Sequence, residues 1–300
     1  MDLAGMLAGE LTAAGITIDP AVRARRTARI RARGEREFER LREEIGIDIT
    51  PYKQPCIRSL GVGAALTEFA ISGVPLAHKG RLAVIALGGV AVLMVSAVDS
   101  ALDRGVPLPC LLPPDGESEG ARSSQPIPSL IRAALNVYFR RLAALPQASP
   151  QLCGMVKKAI DRMYAAELET VFCPSVGRRA WWRKNVLPIA ILGIPAWMAA
   201  GPSAADQFRR HLAWLCRLGE FFGWLDDCVD YGHDLANAHA NRIDTRLQSR
   251  SQAQLVRDIA GQAKRILTQW DAVNPLVPAR DYFAVIVWGW IEHRPEHATS

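Results

Sequence analysis

Apolar residues recur at three- and four-residue intervals through most of the chain, and alternating runs are nearly absent, so the pattern predicts helices and no sheet. A charged helix is expected over residues 21–45, and the Pro51 to Pro55 stretch closes the N-terminal part. Further helices are expected near 60–74, 81–104, 127–144, 149–171, 178–199, 204–236, 250–270 and 278–293. The span from Pro107 to Pro128, with its PPDGESEG and RSSQPIP clusters, reads as the one long loop. A linker is one reading of it, but the helices on both sides are long and apolar enough to need each other. The expected organisation is all-α: a basic helical segment over 1–50 and a single all-α domain, one bundle with a central apolar cavity, over 51–300.

Two apolar stretches raise the membrane question. Leu82 to Val98 is apolar apart from Ser96, seventeen residues in all, at the bottom of the spanning range of roughly 17–25 residues. Gly88, Gly89 and Ala91 suit it to close packing and it runs straight into Asp99, which favours a helix buried in a bundle. Val186 to Ala200 is interrupted by Pro188 and Pro195. No secretory signal is visible, because Asp2 and Glu10 fall where a basic start and an apolar core would be needed.

With 300 residues, 49% hydrophobic and 22% charged, the chain can bury a sizeable core, which excludes disorder, collagen and small disulfide scaffolds. Six cysteines form no C-x-x-C pair, so neither a structural zinc site nor a stapled secreted domain is expected and a reducing cytoplasm is the default. The net charge of +6 is concentrated in Arg23, Arg25, Arg26, Arg29, Arg31, Arg33, Arg36, Arg40 and Arg42. Such a run can bind nucleic acid or an anionic membrane. The interleaved Glu35, Glu37, Glu39, Glu43 and Glu44 favour a solvated helix instead.

The chemistry concentrates in 219-GEFFGWLDDCVDYGHDLANAHANRID. Asp226, Asp230 and Asp234 stand at i, i+4 and i+8, which on a helix rising 1.5 Å per residue makes a column of carboxylates about 12 Å long, with Asp227 beside the first. Like charges one turn apart repel, so a cation is expected opposite them. Magnesium uses one or two carboxylates plus water and phosphate oxygens, and this is that kind of ligand set. Phe221, Phe222, Trp224 and Leu225 immediately precede the column, which suggests a greasy pocket with a polar mouth rather than a solvated acidic face. Asp99 and Asp103, again i and i+4, end the apolar helix near 81–104. Two such helices facing each other would enclose an apolar cavity capped by divalent metal. His233 and His239 flank the column and read as incidental or as lying behind the ligands, since carboxylate-rich surroundings favour magnesium. Gly61, Gly63 and Gly73 follow no strand and read as helix ends or close-packing sites, and no G-x-S-x-G, Walker A, G-x-G-x-x-G or H-E-x-x-H motif is present.

Asp226-Asp227-x-x-Asp230-x-x-x-Asp234 resembles the second metal motif of class I isoprenoid synthases, and Asp99-x-x-x-Asp103 looks like a degenerate form of their first. The positions match those of compact microbial terpene synthases, and the resemblance spans roughly residues 60–293. It implies a diphosphate-sensing arginine after a helix break: counting from Pro174 and Ser175 selects Arg183, with Arg179 second and Arg178 third. It also places Asn241 and Arg242 near further diphosphate contacts. The sequence departs from the pattern where Ser100 replaces the second adjacent aspartate of the first motif, and it lacks the C-terminal Arg-Tyr pair of microbial cyclases. The D-x-x-x-D-R form looks more like the squalene and phytoene synthases or the bacterial large-terpene synthases.

What the resemblance implies is a class I terpene synthase, a lyase of isoprenoid biosynthesis. It would ionise a C15–C25 prenyl diphosphate, farnesyl or geranylgeranyl first, using Mg2+, three ions with diphosphate bound. Asp99, Asp103, Asp226, Asp230 and Asp234 would be its ligands, and Arg183 or Arg179 its diphosphate contact. Phe222, Trp224, Phe69 and Trp288 are candidate cation-lining residues. The expected partner is the small-molecule prenyl diphosphate, with no nucleic acid, no stable membrane insertion and a homodimer left open; the expected location is cytoplasmic. The competing readings are a soluble prenyl transferase of the squalene/phytoene or chain-elongating type, an integral membrane prenyltransferase, and a non-catalytic helical protein binding through its basic N-terminal helix.

Overall fold

The computed structural model describes residues 2–103, 106, 126–172, 177–201, 205–236, 241–273 and 279–292. Every regular element among them is helical, as the periodicity predicts. In chain order these are α1 (Leu3–Ala13), α2 (Pro20–Glu44), α3 (Lys53–Ala70), α4 (His78–Asp103), α5 (Pro126–Ala143), α6 (Pro150–Phe172), α7 (Arg178–Ala200), α8 (Ala205–Ala236), α9 (Arg242–Leu247), α10 (Gln252–Val273) and α11 (Arg280–Glu292). A 3₁₀ turn, Thr50–Tyr52, leads into α3. Residues 107–125 of the loop expected from Pro107 to Pro128, and the expected helix break at Pro174 and Ser175, lie outside the described residues, and α5 already starts at Pro126, inside the expected loop.

Two differences from the expected elements have local causes. α1 is an additional helix, begun by the Asp2 carboxylate accepting the Gly5 N–H at 2.8 Å and held by Leu3, Leu7 and Leu11, buried at i, i+4 and i+8. α3 starts at Lys53 rather than near 60 and takes Pro55 into its first turn, where the missing N–H has no intrahelical partner to lose. α7 agrees with the helix expected over 178–199 and continues through Pro188 and Pro195, although each removes one helical hydrogen bond.

The chain forms two compact units: Met1–Thr27 with Ala165–Ala190 and Arg209–Ser300, and Ala28–Tyr164 with Ile191–Phe208. In the first, α1 packs along α10, and the start of α2 is fastened to α11. Arg23 grips Glu292 with both terminal nitrogens, while Arg26 bonds Asp281 at 2.9 Å with its guanidinium over the Tyr282 ring. Trp288 donates its indole N–H to the carbonyl of Ile16 at 2.9 Å.

The second unit is held by close helix crossings. A Cβ on Gly61 would lie 2.5 Å from the Ile30 carbonyl oxygen, and one on Gly63 would lie 2.6 Å from that of Gly88. Neither position can carry a side chain without the backbones separating, so α2, α3 and α4 touch through glycine. His78–Leu102 is long and apolar enough to cross a membrane by length and composition, but 61% of its most apolar window is buried inside the protein. Arginines and glutamates of α2 are joined in ion pairs: Arg33 with Glu68 at 2.5 Å, Arg42 with Glu39 at 2.7 Å, and Arg141 with Glu44 at 3.0 Å and with the buried Glu37. Arg25, Arg29 and Arg36 are exposed.

Candidate active site on helix α8

α8 buries Phe221, Phe222, Leu225, Cys228 and Val229 and leaves Asp226, Asp227, Asp230 and Asp234 half-buried at the edge of that apolar surface. α7 crosses it closely, because a Cβ on Gly219 would lie 2.7 Å from Val186 Cα and one on Gly223 2.6 Å from Asn185 Cγ. Trp181, Lys184 and Asn185 are three or four residues apart and so share the α7 face at this crossing.

That crossing surrounds the carboxylates with donors. Trp181 Nε1 donates to Asp227 Oδ2 at 2.8 Å, and Trp290 Nε1 of α11 donates to Asp226 Oδ1 at 3.1 Å. Asn241 is buried and fully engaged: its Nδ2 donates to Asp234 Oδ2 and to the Asp227 carbonyl, both at 2.8 Å, and its Oδ1 accepts from Ile243 N at 2.9 Å to cap α9. Tyr231 Oη donates to Asp244 Oδ1 at 2.6 Å, a second tie between α8 and α9. Lys184 pairs with the buried Glu167 at 2.9 Å.

Burial pushes the Asp226 carboxyl above the usual range, and Glu167 and Asp234 add to this, while Lys184 and the Trp290 N–H oppose it. Asp227 is pushed up to about 8, first by burial and then by the charge of Asp226, against the Trp181 N–H and Lys184. Burial above all, and neighbouring carboxylates after it, thus hold these two acids toward their neutral forms, and a cation bound there would oppose both shifts.

The sequence-derived residues are placed unevenly. Asp226, Asp230 and Asp234 lie on one stretch of α8 in the first unit; Asp99 is exposed near the end of α4 in the second unit, and the side chain of Asp103 lies outside the described residues. Arg178 and Arg179 are exposed on the first turn of α7 and Arg183 is half-buried, as is Arg242. Phe222 is buried among Phe221, Phe283 and Trp290, with ring centroids 5.4, 6.1 and 5.5 Å away. Trp224 packs on Trp181 at 4.4 Å and carries the Arg246 guanidinium 5.0 Å from its ring centre. Phe69 is buried in α3, His233 is exposed, and His239 lies outside the described residues.

Sequence reading missed Trp181, Trp290, Glu167 and Lys184. The only signal for Lys184 was its i+3 spacing from Trp181; nothing local marks Trp290, 64 residues from its acceptor.

Among the described residues no group of three or more His, Cys, Asp or Glu side chains converges tightly enough to enclose a metal ion. A closed protein cage of the zinc or calcium kind does not fit. The chemistry of the donors is of the kind magnesium takes: carboxylate oxygens, two of them held by N–H donors, from Trp290 to Asp226 and from Asn241 to Asp234.

No family model and no curated protein matches the sequence. Among solved structures, the chain is similar to a geranyltransferase from Helicobacter pylori 26695, at 15% identity over 88% of this chain and 98% of that one, with a TM-score of 0.49. It is similar to a geranyltranstransferase from Methanosarcina mazei at 14% identity over 85% and 94%, TM-score 0.49. It is likewise similar to a geranylgeranyl pyrophosphate synthase from Lactobacillus brevis ATCC 367 at 14% identity over 89% and 98%, TM-score 0.48.

Proposed function

We propose that the chain is a divalent-metal-dependent enzyme that ionises an allylic prenyl diphosphate at the aspartates of α8. The observation that carries this is the half-buried set Asp226, Asp230 and Asp234, lying beside the aromatic pair of the buried Phe222 and the half-buried Trp290 and within electrostatic reach of Lys184. These three aspartates would hold Mg2+. For Asp99 and Asp103 the support is their sequence spacing, and for Arg183 and Arg179 it is their distance along the chain from Pro174.

Bound magnesium supplies Lewis-acid neutralisation of the charge that develops on the departing diphosphate. The chain's own part is positioning and electrostatics. Trp290 fixes the Asp226 carboxylate, and Asn241 fixes that of Asp234 while locking the start of α9 to α8. Lys184 adds a fixed positive charge beside Asp226 and Asp227, in a position to favour negative charge on the leaving group. Aromatic faces shield the allylic cation from water and stabilise it by about 0.5–2 kcal/mol each.

Ionisation has two continuations. Closure of the cation on itself, the terpene-cyclase outcome, rests on the position and form of the aspartate motifs. Capture by a second prenyl substrate, the transferase outcome, is the one that the names of the three similar structures accompany. The two differ by one substrate, so one experiment separates them.

Purified protein with Mg2+ is given geranyl, farnesyl, geranylgeranyl and farnesylgeranyl diphosphate in turn, with and without isopentenyl diphosphate, and released diphosphate and extracted products are measured. Magnesium-dependent release that Asp226→Asn abolishes with the helical circular dichroism unchanged is the expected result. Products without the second substrate mean cyclisation, and products only with it mean transfer. Release in Asp226→Asn within a few-fold of wild type sinks the assignment; Asp99→Asn is judged in the same assay.

A further inference from the structure

A second feature of the first unit stands outside the aspartate site. Between α8 and α10, lined also by Arg246 of α9 and Arg250 of the turn after it, runs a groove of about 610 Å³, within the ordinary range for small-molecule sites, roughly 300–1,000 Å³. Its wall on α8 is the stripe Arg217, Glu220 and Trp224, at i, i+3 and i+7, and none of the four aspartates lines it. Leu255, Ile259 and Ile266 of α10 contribute an apolar floor.

The charges around it do not balance. Arg217, Arg246, Arg250 and Arg265 line the groove against two carboxylates, Glu220 and Asp258. Both carboxylates are engaged: Asp258 by Arg250, and Glu220 by the Trp182 indole N–H at 3.1 Å. Arg217, Arg246 and Arg265 form no ion pair among the described residues. Arg246 lies over the face of Trp224, whose ring also packs on Trp181, so this guanidinium has a fixed platform rather than a loose tether. Burial, and after it the charges of Arg250, Arg242 and Arg178, pull Arg246 below its ordinary pKa, with Asp258 opposing. Cations assembled at this density repel one another, and a multivalent anion relieves the repulsion. Guanidinium forks match the paired oxygens of phosphate groups.

We propose that this groove is a metal-independent binding site for a diphosphate group, free or as the head of an organic diphosphate, held by Arg246, Arg250, Arg217 and Arg265. It is separate from the α8 aspartates in both residues and chemistry, and it does not depend on the function proposed above. The aspartates need a metal to accept an anion; the groove supplies its cations from the chain itself.

The test is calorimetric titration of the full chain with inorganic diphosphate in excess chelator, which silences any metal-dependent site. The expected result is saturable binding at one site, weakened about tenfold by Arg246→Gln or by Arg217→Gln and retained within about twofold in Asp226→Asn. The arginines changed are half-buried or exposed, and circular dichroism checks that the variants are folded. No binding under chelation overturns the proposal. So does binding indifferent to both arginine substitutions, or binding that Asp226→Asn removes. Repeating the titration with isopentenyl diphosphate identifies the source: tighter binding than the inorganic ion points to an organic ligand using the apolar floor, and equal binding points to the diphosphate group alone. Because magnesium-dependent turnover is read in a different assay, failure here leaves the α8 assignment standing, and the reverse holds too.

Discussion

Trp181 on α7 donates its indole N–H to Asp227 on α8 at 2.8 Å, so an acid beside the proposed metal ligands is held by the protein wall. Burial and the neighbouring Asp226 still push Asp227 up to about 8. Its unfolded value is that of an ordinary carboxylate, about 3.9. The folded state therefore holds this proton more tightly, and the contribution to stability is complete below about pH 4 and is lost as pH rises through about 8. In chelator, Asp227→Asn keeps the shape and the acceptor for Trp181 but removes the charge. Thermal melts of the variant should decline less from pH 5 to 8 than those of wild type, with a higher Tm at pH 8. A lower Tm there contradicts the reasoning.

Trp290→Phe keeps a ring against Phe222 while deleting the N–H given to Asp226. The expected cost is about 1 kcal/mol of stability. Diphosphate release should fall by more than that loss of folded protein explains, because a carboxylate free to rotate holds metal poorly. The readout is the magnesium concentration for half-maximal release, which should rise. An unchanged magnesium requirement would leave Trp290 as packing only.

Lys184→Met leaves Glu167, only 9% exposed, without its cation and removes a positive charge that acts on both Asp226 and Asp227. Destabilisation of about 1–3 kcal/mol is expected, with single-turnover diphosphate release slowed more than by Arg178→Ala, whose residue is exposed on the first turn of α7. Arg183→Ala should also exceed Arg178→Ala. The opposite order would place the diphosphate at the α7 start rather than beside Lys184.

Two glycines of α8 should respond in opposite directions. Gly219→Ala drives a methyl into Val186 and the Asn185 carbonyl and should cost about 1–3 kcal/mol by forcing α7 away. Gly232→Ala meets nothing within 4 Å and should stabilise by about 0.5–1 kcal/mol through helix propensity alone. Denaturant midpoints measure both, and equal effects would mean that the α7–α8 crossing is not held by Gly219.

The segment most open to misreading was the arginine-rich N-terminal helix. Its interleaved charges read as a solvated helix, with a basic binding face as the alternative, yet Arg23 and Arg26 are spent on Glu292 and Asp281, and Arg33 on Glu68. Nothing in the run itself distinguishes these arginines from the exposed Arg25, Arg29 and Arg36, because the acids that claim them are as many as 269 residues away. α9 was missed for a related reason. Six residues carry no readable period, and what fixes the helix is Asn241, bonded at once to Asp227, Asp234 and the Ile243 N–H.

Helical period is a property of neighbouring residues, which is why the all-α class, the long helices and the common face of Asp226, Asp230 and Asp234 could be read from order along the chain. Each follows from 3.6 residues per turn and one buried side. Partners are a property of the fold. Trp181 for Asp227, Trp290 for Asp226, Lys184 in preference to the arginines beside it, and the arginine groove between α8 and α10 arise where glycines let helices cross and where residues from separate helices meet. A one-dimensional pattern carries the angle of a side chain around its own helix, but not which helix will face it.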